Sequence, residues 1–374
     1  MKILFDSEIF QFQIFGGISL YFTKLLEEFK KDSAVDFKLP VFYSDNYYIK
    51  EKSFSNPLRL YEKEFLFKRQ LIKLLNYINK QKTIFSIKAG NFDIFHPTYI
   101  FPYFHKYLKS KPYILTVHDM TIETIPEYFV FDKKISDIIK YKKMLIENAT
   151  RVIAISENTK NDILKYTNYD ASKIDVVYHG LPLESTVIAE EIADLPKKFI
   201  LFIGQRGKYK NFNSFLIAIS EILKQDSDLY LVTAGGGGFN KTETDFVKNL
   251  GIEHKIIKKP IQNNNQLINY YKKALCFVFP SIYEGFGFPI LESFQCNCPL
   301  VCADNSSFPE IAGDAAVYFD AYSIESMTEN IKKVLYDENL RKNMIQKGQE
   351  RLKLFSWKKT AQDTKKTYKK VLYE

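Results

Sequence analysis

Short, nearly continuous apolar runs alternate along this chain with longer stretches in which apolar residues recur every three or four positions. Lys2 to Phe5, Asp93 to His96, Tyr113 to Val117, Arg151 to Ile155, Asp175 to Tyr178, Phe199 to Ile203, Leu229 to Thr233, Ile256 to Ile261, Cys276 to Phe279 and Leu300 to Ala303 read as strands. Between them, Leu20 to Lys31, the segment opened by Ser156-Glu157-Asn158-Thr159, the segment opened by Asn263-Asn264-Asn265-Gln266, Pro289 to about Asn297, and Ser356 to Tyr373 read as helices. Strand, glycine loop, helix and strand in succession over Cys276 to Ala303 make half of a doubly wound unit and, with the other strands and helices, predict an α/β fold with doubly wound sheets.

One stretch breaks the alternation. Leu181 to Lys198 is irregular and polar and holds Pro182 and Pro196, so a boundary is expected there. The expected organisation is a first domain over 1–182, a second over 196–355 and a closing helix over 356–374. At 374 residues the chain exceeds one typical core.

Composition adds limits. An apolar content of 46%, with 16% aromatic, suits burial and excludes disorder. The net charge of +9 suits an acidic small molecule or an anionic membrane surface better than nucleic acid, for which only the charge speaks. The absence of an 18-residue apolar run, and a first strand entered directly from Met1, predict neither a membrane span nor a secretory signal. All four cysteines fall between Cys276 and Cys302, which predicts reduced thiols and a cytoplasmic protein. Cys296-x-Cys298-x3-Cys302 straddles a helix end and a strand, as small core residues do, and no metal site is expected.

Candidate chemistry concentrates in Phe277 to Ala303. An apolar strand runs into Pro280-Ser281, then a glycine-punctuated loop, Tyr283-Glu284-Gly285-Phe286-Gly287, then a helix opened by Pro289. Glu284 stands on the loop, and Glu292 lies in the first helical turns among Ile290, Leu291 and Phe294, where it should be partly buried. A buried carboxylate needs donors, and a ligand rich in hydroxyls supplies them. The helix start favours phosphate. The strand ending at Ile203 is followed by Gly204-Gln205-Arg206-Gly207-Lys208-Tyr209-Lys210, a second plausible diphosphate cradle or else a solvated turn. Pro260-Ile261 is expected to border a base, and Phe15-Gly16-Gly17 to form a glycine turn after the first strand. His96 and His118-Asp119 end strands, where ligands of open α/β sheets collect, although a lone strand-end histidine is often structural. Asp226-x-Asp228 precedes a strand and reads as a surface turn. Lys63 to Lys88 carries seven basic residues against Glu64, with Phe67, Leu71, Leu74, Leu75 and Ile78 at helical spacing. Such a basic amphipathic helix either lies on anionic lipid or packs as an ordinary helix with a solvated face.

The Glu284-x7-Glu292 segment, EGFGFPILE, together with the Gly16-Gly17 turn, His118-Asp119, the basic loop and the closing helix, resembles the retaining glycosyltransferases of family 4. That resemblance implies a GT-B fold: two Rossmann-like domains facing a central cleft, with the closing helix returning to the first. It implies a nucleotide-sugar donor held by Gly204, Arg206, Lys210, Pro260, Ile261, Glu284, the Gly285-Phe286-Gly287-Phe288 loop and Glu292, with Gly16, Gly17 and His118 approaching it on closure. His118, Glu284, Arg206 and Lys210 are then the catalytic candidates, His96 and Asp119 lie toward the acceptor, and neither metal nor another cofactor is needed. Gln205 takes the place of the usual arginine, and Arg206 comes one residue later. FGGISLYF, YKNF and YEGFGFPILE look most like bacterial mannosyltransferases of O-antigen or capsule assembly, implying GDP-mannose and a lipid-linked or oligosaccharide acceptor. A UDP-sugar donor, or a sugar phosphorylase or epimerase on the same frame, is the alternative.

Overall fold

The computed structural model describes residues 1–50, 52–61, 65–129, 135–184 and 194–373. The chain divides into two compact units, Met1–Gly180 with Ser356–Glu374, and Leu181–Phe355. Each is built on parallel strands.

In the first unit, β1 (Lys2–Phe5), β2 (Asp36–Lys38) and β3 (Ile94–His96) form one parallel sheet in the order β2-β1-β3. β4 (Ile114–Val117), β5 (Arg151–Ala154) and β6 (Ile174–Val176) form another in sequential order. A parallel bridge between Phe95 and Tyr113, with the Phe95 N–H donating to Pro112 O at 3.0 Å, joins β3 to β4. Successive side chains point to opposite faces: Ile3, Phe5, Ile94, Ile114 and Ile153 enter one apolar cluster, and Leu4, Phe95, Leu115, Val152 and Ala154 the other. Both faces are covered, which is why the strands read as unbroken apolar runs.

The helix Gly17–Lys30 covers the first face with Leu25, Leu26 and Phe29. The closing helix Trp357–Tyr373 joins it there, burying a stripe of Thr360, Ala361, Thr364, Thr367 and Tyr368. It is fastened by Thr360 Oγ1–H to Tyr178 O at 2.7 Å and by ion pairs of Lys370 with Asp175 and Lys365 with Asp32. The basic segment forms the helix Lys68–Ala89; Lys63 and Glu64 lie outside the described residues. Its buried stripe is Leu75, Asn79, Thr83, Ile84, Ser86 and Ile87, so Phe67 and Leu74, read from spacing as part of the apolar face, stand largely in solvent. Asn79 accounts for the difference. Its amide accepts from the Phe42 and Tyr43 N–H groups and donates to Tyr43 O, pulling that side of the helix inward.

The second unit holds one six-stranded parallel sheet of β7 (Lys198–Ile203), β8 (Leu229–Ala234), β9 (Ile256–Lys259), β10 (Cys276–Phe279), β11 (Leu300–Ala303) and β12 (Ala316–Phe319). Their order is β12-β11-β10-β7-β8-β9. The chain starts at the centre, winds outward to β9, returns to the other side of β7 and winds out again. This is the dinucleotide-binding order, with its reversal between β7 and β10. The four cysteines are free thiols packed into this core.

Candidate active site

In a doubly wound sheet, ligands collect where the loops of two adjacent strands part in opposite directions. In the second unit those loops follow β7 and β10. After β7 the backbone turns at Gly204 (φ 104°), passes a short turn at Lys208–Lys210, and enters the helix Phe212–Gln225 through Asn211 in the left-handed region. After β10 it turns at Gly287 (φ 92°) into the helix Phe288–Gln295, with Pro289 in the first turn. The two loops are bound together by the Ile282 N–H donating to Tyr209 O at 2.8 Å. Behind them the loop after β11 adds the Ser307 hydroxyl donating to Glu284 O at 3.0 Å and Ser306 Oγ accepting from the Glu284 N–H at 3.3 Å.

Lys210 and Glu284 meet in an ion pair here. Their side chains keep 23% and 19% of their surface, so each can still be reached. Burial alone would lower the Lys210 ammonium; the Glu284 carboxylate and the Tyr209 hydroxyl outweigh it and raise Lys210 above the ordinary lysine range. It is a firmly charged cation at neutral pH.

Helix starts around the pair differ from those elsewhere in this unit. The helices Lys241–Asn249, Asn264–Lys273, Ile324–Tyr336 and Glu338–Leu352 are each capped by a side chain, of Asn240, Asn263, Ser323 and Asp337. The helices Phe212–Gln225, Phe288–Gln295 and Phe308–Ala312, which follow β7, β10 and β11, have no side-chain cap. Asn211 could have capped the first of these, but its amide donates to Ala321 O instead. Two uncapped helix starts, those of Phe212–Gln225 and Phe288–Gln295, thus follow the adjacent strands β7 and β10 beside one lysine, an arrangement suited to an anion.

Arg206 is placed differently. Its side chain is 4% exposed and lies under the glycine run after β8. The guanidinium donates to Glu243 at 2.7 Å and to the carbonyls of Gly235, Gly236, Gly237 and Gly238 at 2.9 to 3.3 Å. Glu243 also closes a capping box with Asn240, so one arginine fixes the glycine run against the following helix. Ile261 packs over Gly235, where a Cβ would lie 3.1 Å from its Cδ1, while Pro260 is exposed and its carbonyl accepts from Tyr270.

Glu292 projects from the second turn of the helix Phe288–Gln295. Its carboxylate accepts from the Tyr271 hydroxyl at 2.9 Å. Part of the residue's surface is open, but the carboxyl itself sits among buried groups, and burial raises it to about 7 against the smaller opposing effect of Tyr271. Of the intervening loop, Gly285, Phe286 and Gly287 are buried, and the Phe286 ring packs on Phe288 and Phe355 at 5.7 and 6.0 Å. That ring is part of the core; only its backbone can serve a ligand.

In the first unit, Gly17 is the first residue of its helix and Gly16 precedes it. A Cβ on Gly16 would meet the Gln13 side chain at 2.3 Å, and Gln13 Oε1 accepts from the Ser19 N–H at 3.1 Å, so Gln13 acts as the cap. His118 follows β4 with its ring on Tyr21 and Phe22, its Nε2 buried without a protein partner, and its pKa lowered by burial to about 4. Asp119 turns the chain into the next short helix by accepting from the Thr121 N–H at 3.0 Å. Burial would raise its carboxyl, but Lys142 and this hydrogen bond lower it further.

His96, expected on the acceptor side, is corrected by the structure. It is fully buried, with Nδ1 paired to the Tyr368 hydroxyl at 2.7 Å and Nε2 to Thr116 Oγ1 at 2.9 Å. Burial lowers its pKa to about 3. A strand end points toward a crevice only when nothing covers it, and the closing helix covers this one.

Tyr271, Glu243 and Gln13 were not foreseen from sequence. Each serves a recognised residue across a turn or an element, and only Glu243, three residues after the N-cap Asn240, carries a local signal.

Residues 185–351 match the model for glycosyl transferases group 1, and residues 16–185 match glycosyltransferase family 4. The chain is 25% identical to O-antigen chain mannosyltransferase B of Escherichia coli over 99% of its own length and all of that protein's. It is 31% identical over 60% of its length to the N-acetylgalactosamine-N,N'-diacetylbacillosaminyl-diphospho-undecaprenol 4-alpha-N-acetylgalactosaminyltransferase of Campylobacter jejuni, spanning 61% of that enzyme. Among solved structures, Anabaena HepE in complex with UDP superposes with a TM-score of 0.72 at 15% identity, covering 99% of this chain and all of the other. With two Rossmann-like units of GT-B type and both family models matched in succession, the chain is a glycosyltransferase and belongs to family 4.

Proposed function

We propose that this enzyme transfers a hexose, with retention of anomeric configuration, from GDP-mannose to a lipid-linked or oligosaccharide acceptor in surface-polysaccharide assembly of the O-antigen or capsule kind. The observation that carries the reading is the meeting of Lys210 and Glu284 beside two helix starts without side-chain caps. A sugar diphosphate supplies what each part lacks: negative charge for Lys210 and the helix ends, and hydroxyl donors for Glu284. Glu292 takes ribose hydroxyls, and the backbone of Gly285 to Gly287 takes the transferred sugar. As the sugar–phosphate bond breaks, charge grows on the leaving diphosphate, and Lys210 with the helix dipoles stabilises it. The acceptor hydroxyl attacks from the face the phosphate leaves and gives its proton to a phosphate oxygen. This route needs no metal.

Likeness over its whole length to the E. coli mannosyltransferase favours the mannosyl donor. A UDP-sugar is the second reading, favoured by the higher identity to the Campylobacter acetylgalactosaminyltransferase and the likeness of fold to HepE with UDP. A thermal-shift panel of GDP, UDP, ADP and their sugars separates them, because a ligand bound only by the native state raises the melting point. A selective GDP shift supports mannose, a selective UDP shift supports the second reading, and no shift with any nucleotide overturns both.

The lipid-linked acceptor brings a peripheral membrane contact into the reading. No helix among the described residues is long and apolar enough to cross a membrane. Around the start of the helix Lys68–Ala89, Leu66, Phe67 and Leu74 are exposed beside Lys68, Arg69 and Lys73. Apolar side chains next to cations suit an anionic bilayer surface. Co-sedimentation with phosphatidylglycerol vesicles, lost with phosphatidylcholine vesicles or in Phe67→Ser/Leu74→Ser, is the expected result.

A further inference from the structure

We propose that Arg206 is a positioning residue for the nucleoside of the nucleotide-sugar, not a ligand of its phosphates, and that it acts by shaping the glycine run after β8. That a nucleotide binds here rests on the proposed transfer reaction; the geometry decides which part of it Arg206 serves.

All three nitrogens of the guanidinium are engaged. Nε donates to Glu243 at 2.7 Å, Nη1 to Gly235 O at 3.3 Å, and Nη2 to the carbonyls of Gly236, Gly237 and Gly238 at 3.2, 3.2 and 2.9 Å. The group also lies over the Phe239 ring at 4.7 Å, with the Phe212 ring at 5.9 Å. Turning this buried side chain toward a phosphate would strip a carboxylate and four carbonyls of their hydrogen bonds. Lys210, with 23% of its side chain open, needs no such rearrangement.

What Arg206 fixes is a backbone shape. Gly235, Gly236 and Gly237 stand at φ 76°, 69° and 73°, three left-handed residues in a row. Successive residues of one hand align their peptide units, so the carbonyls turn to one side and the N–H groups to the other. The carbonyls close on Arg206. Gly236, Gly237 and Gly238 are exposed, and among the described residues none of their N–H groups has an acceptor.

The run has a fixed place over the sheet. A Cβ on Gly236 would fall 2.4 Å from Gly204 O, and one on Gly235 3.1 Å from Ile261 Cδ1. It therefore sits between the loop after β7 and the end of β9, on the side of β7 away from β10 and Glu284. A nucleotide-sugar with its sugar at Glu284 meets this run with its nucleoside end.

Titration calorimetry on the full-length protein with GDP and GMP, and in parallel with UDP and UMP, tests this in Arg206→Ala, Arg206→Lys and Glu243→Gln. For the base that the parent binds, Arg206→Ala is expected to weaken diphosphate and monophosphate alike, by about tenfold each. Arg206→Lys should recover less than about threefold of that loss, because one ammonium cannot span a carboxylate and four carbonyls. Glu243→Gln keeps the helix cap but loosens the guanidinium, and should weaken both nucleotides about threefold. A phosphate ligand gives another pattern: a loss at least about fivefold greater with the diphosphate, recovery in Arg206→Lys, and unchanged or tighter binding in Glu243→Gln as the arginine is released. Any one of these results overturns the proposal. So does unchanged affinity for both nucleotides in Arg206→Ala, which would make the arginine a support of the fold alone. If Arg206→Ala does not fold, the sign of the effect in Glu243→Gln decides. A parent that binds none of the four nucleotides removes the donor reading and this role with it, whereas a parent that binds, with the wrong pattern in the variants, removes only the role of Arg206.

Discussion

Lys210 and Glu284 form their ion pair across the gap between β7 and β10, from loops joined by a backbone hydrogen bond between Ile282 and Tyr209. Without ligand each is the counter-ion of the other. In the proposed reaction a sugar diphosphate would compete for both at once, phosphate for the lysine and hydroxyls for the carboxylate, and the pair would hold the site in shape until the donor replaced it.

Removing either partner leaves the other charge half-buried. Lys210→Ala is expected to lower turnover at least ~10-fold, about 1.4 kcal/mol of transition-state stabilisation. It should also destabilise the fold by ~1–2 kcal/mol, less than a fully buried pair because both side chains keep about a fifth of their surface. Glu284→Gln should cost a similar amount, and the double variant less than the sum. Urea denaturation of the three variants measures the coupling, and strictly additive costs would exclude it.

The two strand-end histidines should separate cleanly. His96→Leu strips Tyr368 and Thr116 of their partner inside the core, so it should lower stability by ~2–4 kcal/mol while leaving turnover per folded molecule nearly unchanged. His118→Ala should cost some stability too, since its ring packs on Tyr21 and Phe22, but unlike the change at His96 it should clearly lower turnover per folded molecule in the proposed role. Because burial holds His118 near 4, it is neutral from pH 5 to 8, and its NMR titration should show no step near 6.5. A step there would contradict the buried geometry.

The same pair shows how far local signals reach. They were sufficient for the strand-loop-helix around Glu284, the position of Lys210 at a helix start, and the alternation that made both units α/β. They stopped where a residue's partner lies far along the chain. Tyr368, which turns His96 from a candidate ligand into a core tie, is 272 positions away. Tyr271 is 21 residues from Glu292, on a different element. Arg206 reads as an open cation because its acceptors are the Glu243 carboxylate, 37 positions on, and backbone carbonyls, which leave no mark on a sequence. The helix Lys68–Ala89 differs from its apolar spacing on one side because buried Asn79, a polar residue, belongs to its inward stripe.

Two glycines two positions apart in the run after β8 should respond differently to alanine. Gly236 sits at φ 69°, and a Cβ there would fall 2.4 Å from Gly204 O and 2.8 Å from the Arg206 guanidinium. Gly236→Ala combines left-handed strain with a backbone collision, so a loss of ~2–3 kcal/mol is expected together with weaker nucleotide binding. Gly238 has neither problem, since a Cβ there would have no neighbour within 4 Å and its φ lies outside the left-handed region. Gly238→Ala should stay within ~0.5 kcal/mol of the parent. Chemical denaturation of both decides the point, and equal losses would mean that Arg206 and Gly204 do not define this loop.

Glu292 gives the enzyme a pH signature. Its carboxyl is raised by burial to about 7 in the native state, while in the unfolded chain it returns to the ordinary glutamate value near 4.5. Between those values the native protein keeps a proton that the unfolded chain has released. Stability therefore falls as pH rises from about 4.5 to about 7 and is level on either side, by ~3 kcal/mol at most for this group. Glu292→Gln, which cannot ionise, should lose that slope, so the variant gains on the parent between pH 5 and pH 8. Tyr271→Phe should act in the opposite sense: without the hydroxyl that favours the charged form, the carboxyl rises further and the slope extends to higher pH. In the proposed role the ionised form is the better acceptor for ribose hydroxyls, so nucleotide affinity should strengthen through pH 7 in the parent and not in Glu292→Gln. Unfolding free energies and nucleotide titrations at pH 5, 6, 7 and 8 test both halves, and a parent whose stability rises across this window relative to Glu292→Gln would show that the carboxylate is stabilised, not strained, by its burial.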